Sequence, residues 1–217
     1  MSGTAPESDF NSNGVSLVQG DILLERLNSR SATHWLIAFG QKLGGSSKAT
    51  TVHAGIYVGE GKVSQSHGEG LTTDPLNGRE TWKVYRYVPR PDIAELAADI
   101  AQNLVIRTGN DQGFGAYNKS RSMASAFKSK RNAVVSANDI SNYLNNIDRD
   151  GSVYARTFFC SNFSVLCYSL ASEILTSHPH YAIGIDFERA SPGEMAEFFE
   201  SDDGRDRGWR RMGEIIG

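Results

Sequence analysis

The chain has 217 residues, 39% hydrophobic and 10% aromatic, enough for one substantial core, and nothing in its length demands a second domain. Its 22 basic and 25 acidic residues leave a formal charge of −3, which argues against nucleic acid or an anionic membrane as partner. The polar start "MSGTAPESDFNSNG" lacks the positive and apolar regions of a secretory signal, and no apolar run approaches the ~18 residues that cross a bilayer. Synthesis in the cytoplasm without stable membrane insertion is therefore expected, with any work outside the cell depending on another export route.

Residues 1–14 read as a disordered leader and 15–217 as a single domain. "VSLVQGDILLERL" is apolar enough for a first strand or a turn into one, and "SATHWLIAFGQKLGG" spaces Trp35, Leu36, Phe39 and Leu43 as a short amphipathic helix with a glycine stop. In "TTVHAGIYVGEGKVSQSHGEG", Val52, Ala54, Ile56 and Val58 alternate with His53, Gly55 and Tyr57 at the period of a strand, and "GEG" reverses the chain into a second strand. "ETWKVYRYV" supplies a third strand ended by "PRP". A long helix follows, marked by Ile93, Leu96, Ala97, Ile100, Leu104 and Val105 and stopping at Gly109.

Between about 110 and 151 the pattern weakens into an inserted polar region in which two short helices are expected. "FFCSNFSVLCYSLASEIL" then spaces Phe163, Leu166, Cys167, Leu170 and Ile174 on one face of a helix that begins near Cys160. After the loop "HPHYAIG", "SPGEMAEFF" opens a last helix with Ser191 and Glu194 spaced as a capping box.

The two cysteines stand seven residues apart, about 10 Å along a helix axis, which is too far for a disulfide and suits a reducing compartment. Cys167, in mid-helix, reads as a buried core thiol. Cys160, at the first turn, is different, because unpaired N–H groups and the positive end of the helix dipole favour a thiolate there and lower its pKa. The backbone N–H of Cys160 itself or of Ser161 is placed to hold an oxyanion. The competing reading is inert packing, the commoner fate of a free cysteine.

A nucleophilic thiol needs a base, and of the five histidines His53 stands out, on a strand beside Gly55 where a missing side chain leaves room. With a three-residue "GEG" loop, Val58 pairs with Lys62, so Gly55 faces Gln65 and His53 faces His67. With a two-residue loop, Ser64 and Ser66 take that side instead. Gln65 can orient the imidazole through its amide oxygen, though without a carboxylate's charge, and a solvated strand face is the plainer account of Gln65 and His67. His34, His178 and His180 read as surface or packing residues.

"GDILL" (20–24), "HAGIYVGEGKVSQS" (53–66) and "FFCSNF" (158–163) together resemble the circularly permuted branch of the NlpC/P60 superfamily of papain-like cysteine hydrolases. The resemblance implies an α+β fold with a small antiparallel sheet packed against helices, His53 as base, Cys160 as nucleophile, and Gln65 in the third polar position, where relatives often have His or Glu. Glutamine departs from that pattern, and His67 is the alternative third residue. Implied with it is cleavage of an amide bond, with bacterial cell-wall peptide (peptidoglycan) as substrate. Without an export signal such an enzyme is expected to be injected, as an antibacterial effector of type VI secretion is, with an immunity or secretion-apparatus protein as partner. A lipid-directed acyltransferase, thioesterase or lipase is the alternative enzyme, with Phe158, Phe159 and Phe163 lining an apolar groove or belonging to the core. A catalytically weak binding module is the non-enzyme alternative.

No cofactor or metal is expected. Asn146, Asp148, Asp150 and Gly151 resemble the start of a calcium loop, but Thr157 stands where the bidentate Glu belongs, so an acidic turn is expected instead. The basic run Lys119, Arg121, Lys128, Lys130 and Arg131 reads as a solvated helix face.

Overall fold

The computed structural model describes residues 10–27, 50–67, 70–108, 160–186 and 190–217. The elements in chain order are β1 (Phe10–Ser12), β2 (Val15–Leu17), β3 (Ile22–Arg26), β4 (Thr51–Tyr57), β5 (Lys62–His67), β6 (Gly70–Pro75), β7 (Thr81–Tyr87), α1 (Pro91–Thr108), α2 (Cys160–Thr176), α3 (Pro192–Glu200), α4 (Asp202–Asp206) and β8 (Trp209–Ile216). The α+β class expected from the sequence is observed. An antiparallel six-stranded sheet in the order β6-β5-β4-β3-β7-β8 carries helices on one face.

Period-two alternation sorts the strand residues between the faces. Ile22, Leu24, Ala54, Ile56, Tyr85 and Tyr87 join a core with Ala97 and Ala101 of α1, Phe163 and Leu166 of α2, and Phe199 of α3. Leu23, Tyr57, Val63, Trp82, Val84 and Ile215 point the other way and are partly covered by Leu17 and Val15 of the small β1–β2 hairpin. Phe10 to Ser12 therefore pair with Val15 to Leu17, which corrects the expected leader over residues 1–14: its last residues form a strand and a turn. Asn13 at φ +54° and Gly14 at φ +75° make the tight reversal that this pairing requires.

The α1, α2 and α3 helices lie where the spacing predicts them. Ser191 closes the capping box, its Oγ accepting from Glu194 N (3.2 Å) while Glu194 Oε2 accepts from Ser191 N (2.9 Å). Two strands in the sheet, β6 and β8, do not follow from the sequence pattern. The helix expected around Trp35, the insertion at 110–151, the calcium-like turn, the basic run, His34, Phe158 and Phe159 lie outside the described residues.

The "GD" of the first block has structural work. Gly20 sits at φ +92°, and a Cβ there would stand 2.4 Å from the carbonyl oxygen of Ala94, so only glycine lets α1 come this close. Asp21 is buried and receives Arg86 Nε (2.8 Å) and Nη2 (2.7 Å) on its two oxygens, and it accepts the N–H of Val18 (3.0 Å). Tyr168 of α2 donates its hydroxyl to the carbonyl of Gly20 (2.5 Å). One buried hydrogen bond thus fixes the cysteine-bearing helix to the turn entering β3.

Candidate functional site

The "GEG" loop sets the geometry of the site. Val58 N donates to Lys62 O (3.1 Å), and the register runs Tyr57↔Val63, Ile56↔Ser64 and Gly55↔Gln65, as the three-residue loop predicts. His53 is thus the diagonal neighbour of Gln65 across the space above Gly55. Its Nε2 bonds Gln65 Oε1 at 2.8 Å. An amide oxygen only accepts, so Nε2 carries the proton and the lone pair of the neutral ring is on Nδ1. Gln65 is therefore the residue of the two whose side chain is seen bonded to the ring. His67 ends β5 opposite Gly70, and its side chain lies outside the described residues.

Behind Gln65 stands Asp74 of β6. Gln65 Nε2 donates to Asp74 Oδ2 (2.9 Å), and Thr72 Oγ1 donates to the same oxygen (2.5 Å). Gln65 and Asp74 border a cavity of about 230 Å³ on the sheet face away from the helices, lined also by Glu25, His53, Glu80 and Trp82 among others. The His53 and Trp82 rings flank Glu25 with centroids 5.9 Å apart. Glu25 pairs with His53 across the β3–β4 ladder, and burial pushes its carboxyl up to about 7, with the negative charge of Glu80 adding to the effect.

Cys160 opens α2, as the spacing predicts. Three backbone N–H groups, those of Ala54, Ser161 and Cys160 itself, lie near enough to its sulfur to favour the thiolate. The first belongs to the peptide joining His53 to Ala54. In β4 the N–H groups of Val58, Ile56 and Ala54 all point toward β5, but the β4–β5 ladder among the described residues ends at Gly55↔Gln65 while β5 stays paired with β6. The sulfur therefore sits beside the fork where the two strands part.

Imidazole and sulfur flank the same peptide from different sides. The ring lies on the cavity face and Cys160 in the helix-side core, and no hydrogen bond joins them among the described residues. The thiol pKa runs opposite to the sequence expectation. Cys160 is 1% exposed, and burial pushes it up to about 11, with the three N–H groups pulling it only partly back. The helix-start effect exists, but desolvation outweighs it.

Cys167 is fully buried with its thiol pushed further up, as a core cysteine should be, and both thiols are free. Phe163 belongs to the core rather than to a groove. His178 is exposed and His180 half-buried, both in the loop after α2. Among the described residues no cluster of ligating side chains suits a metal, and no helix is long and apolar enough to cross a membrane.

Sequence reasoning missed Glu25, Asp74 and Trp82. Glu25 was legible in principle, since "ILLER" places it on the parity of Leu23. Asp74 was hidden because "GLTTDP" has too few β-formers to announce a strand. Comparison of the chain with protein-family models, curated proteins and solved structures finds no match in any of the three.

Proposed function

We propose that this protein is a cysteine hydrolase of permuted papain-like plan, with Cys160 as nucleophile, His53 as base and Gln65 holding the base. The observation that carries the reading is the placement of the Cys160 sulfur at a helix start, against the peptide of His53, with His53 fixed so that Nδ1 bears the lone pair. In the reaction Nδ1 takes the thiol proton and the thiolate attacks an acyl carbon. The N–H groups of Cys160 and Ser161 receive the oxyanion, the C–N bond breaks as the His53 imidazolium returns its proton to the leaving amine, and water, deprotonated by His53, hydrolyses the thioester to a carboxylate and the free thiol. A resting thiol at about 11 requires the sulfur to be uncovered and brought to the ring as substrate binds.

The substrate class we favour is an amide bond of bacterial cell-wall peptide. Support comes from the resemblance of the "GD", "HAGIYVGEG" and "FFCSNF" blocks to the NlpC/P60 superfamily. Delivery by a contact-dependent secretion system belongs to the same proposal. A binding module that keeps the fold is the second reading, favoured by the burial of the sulfur.

Incubation of wild type, Cys160→Ser and His53→Ala with purified peptidoglycan, and separately with phospholipid vesicles, tests these readings. The hydrolase reading expects new amino termini from peptidoglycan with wild type alone. Products from vesicles instead would move the assignment to lipid acyl chemistry. Retention on peptidoglycan without products from any variant would establish the binding module.

A further inference from the structure

We propose that Asp74 is a positioning residue for the His53 base, acting through the side-chain amide of Gln65. The inference rests on the reading of His53 as base. Its ground is a line of hydrogen bonds across three strands: His53 on β4, Gln65 on β5 and Asp74 on β6, each the diagonal neighbour of the next.

A glutamine alone cannot choose a tautomer, because its amide presents an acceptor at one end and donors at the other and can turn over. Asp74 removes the choice. Its carboxylate only accepts, so the Gln65 Nε2 must face it at 2.9 Å and Oε1 must face His53 at 2.8 Å. The ring is then obliged to carry its proton on Nε2, which leaves Nδ1 to act as base. Thr72 fixes the carboxylate itself from the same strand.

The second consequence is electrostatic. When Nδ1 takes the thiol proton the ring becomes a cation, and its new charge lies against an amide dipole polarised by a carboxylate one hydrogen bond further on. Glutamine in the third position thereby gains part of the charge that it lacks. Two other acidic groups face the same ring, Glu25 from β3 and Glu80 from the β6–β7 loop. Neither is altered in the variants below, so their influence cancels in the comparison.

Side-chain ¹⁵N NMR of histidine-labelled protein near neutral pH reads the tautomer directly and without turnover. In wild type the neutral His53 ring is expected as Nε2–H alone. Asp74→Asn, in which residue 74 can donate as well as accept, is expected to yield a mixture of the two tautomers. Thr72→Val, which disturbs the same strand but keeps the carboxylate, is expected to retain Nε2–H. An Nδ1–H ring in wild type overturns the proposal even if no variant folds, and so does an unmixed Nε2–H ring in folded Asp74→Asn. If the tautomers behave as expected and wild type hydrolyses nothing, the relay stands and the reading of His53 as catalytic base falls.

Discussion

The His53 Nε2 to Gln65 Oε1 hydrogen bond passes over a residue without a side chain, since Gly55 stands between them and directly opposite Gln65. The space is not surplus. A Cβ on Gly55 would come within 2.5 Å of Val63 Cγ2 and 3.2 Å of the Ser64 carbonyl. Valine has little rotameric freedom with which to give way. Gly55→Ala is therefore expected to cost roughly 1–3 kcal/mol, the usual range for overpacking, and to disturb the His53–Gln65 contact. Urea denaturation reads the first effect, and an unchanged midpoint would show that β5 yields without strain.

Arg86 is expected to matter for folding rather than chemistry. Arg86→Met leaves the Asp21 carboxyl buried without its guanidinium, a loss of roughly 3–5 kcal/mol for a broken buried pair. Burial already holds the Asp21 carboxyl above its usual value, and removing Arg86 drives it further up. The variant should consequently lose more stability at pH 8 than at pH 5, where the lone carboxyl can take up a proton. Equal losses at the two pH values would contradict this account.

Glu25 predicts a pH dependence of its own. Its carboxyl sits at about 7 in the folded chain against 4.5 as the reference value, so between those values the folded state holds more protons than the unfolded one. Stability is greatest below 4.5 on this account, and the contribution is lost as pH rises toward 7. Replacing Glu25 with Gln should flatten that part of the stability profile. Thermal melts at half-unit pH steps would show it, and parallel profiles for the two proteins would rule Glu25 out as the cause.

The thiols should be slow to react in the resting protein. With Cys160 near 11 and Cys167 raised further, alkylation by iodoacetamide at pH 8 is expected to lag well behind that of the urea-unfolded chain, with Cys160 the first to respond as pH climbs. Mass spectrometry of tryptic peptides separates the two sites. Rapid labelling of Cys160 at pH 6 would mean that its burial is easily relieved.

The β4–β5 register was legible only as one of two: a three-residue loop puts His53, Gly55 and Gln65 on one face and a two-residue loop puts Ser64 and Ser66 there, and the bond from Val58 N to Lys62 O selects the first. The start of α2 was legible because its apolar residues recur every three or four positions from Phe163 onward. Two things were not. Strand β8, "WRRMGEII", carries charge through its middle because it is the sheet's outer strand and only its ends pack inward, so it lacks the alternation of a half-buried strand. The thiol's condition was also out of reach, since a sequence places a cysteine at a helix start but does not say how much protein will lie over it. For Cys160 that cover reverses the direction of the pKa shift.

The fork between β4 and β5 has a bearing on how the protein can be disarmed. There the sulfur of Cys160 lies near the Ala54 amide, on the side where a neighbouring strand would normally stand. Alanine at position 160 would remove that buried atom and leave a small gap beside the fork, at a cost of about 1 kcal/mol. A lost activity in that variant would then confound missing chemistry with a loosened strand. Serine keeps an atom of similar size at the same point, so it is the substitution in which the reactive atom changes and the seam stays filled.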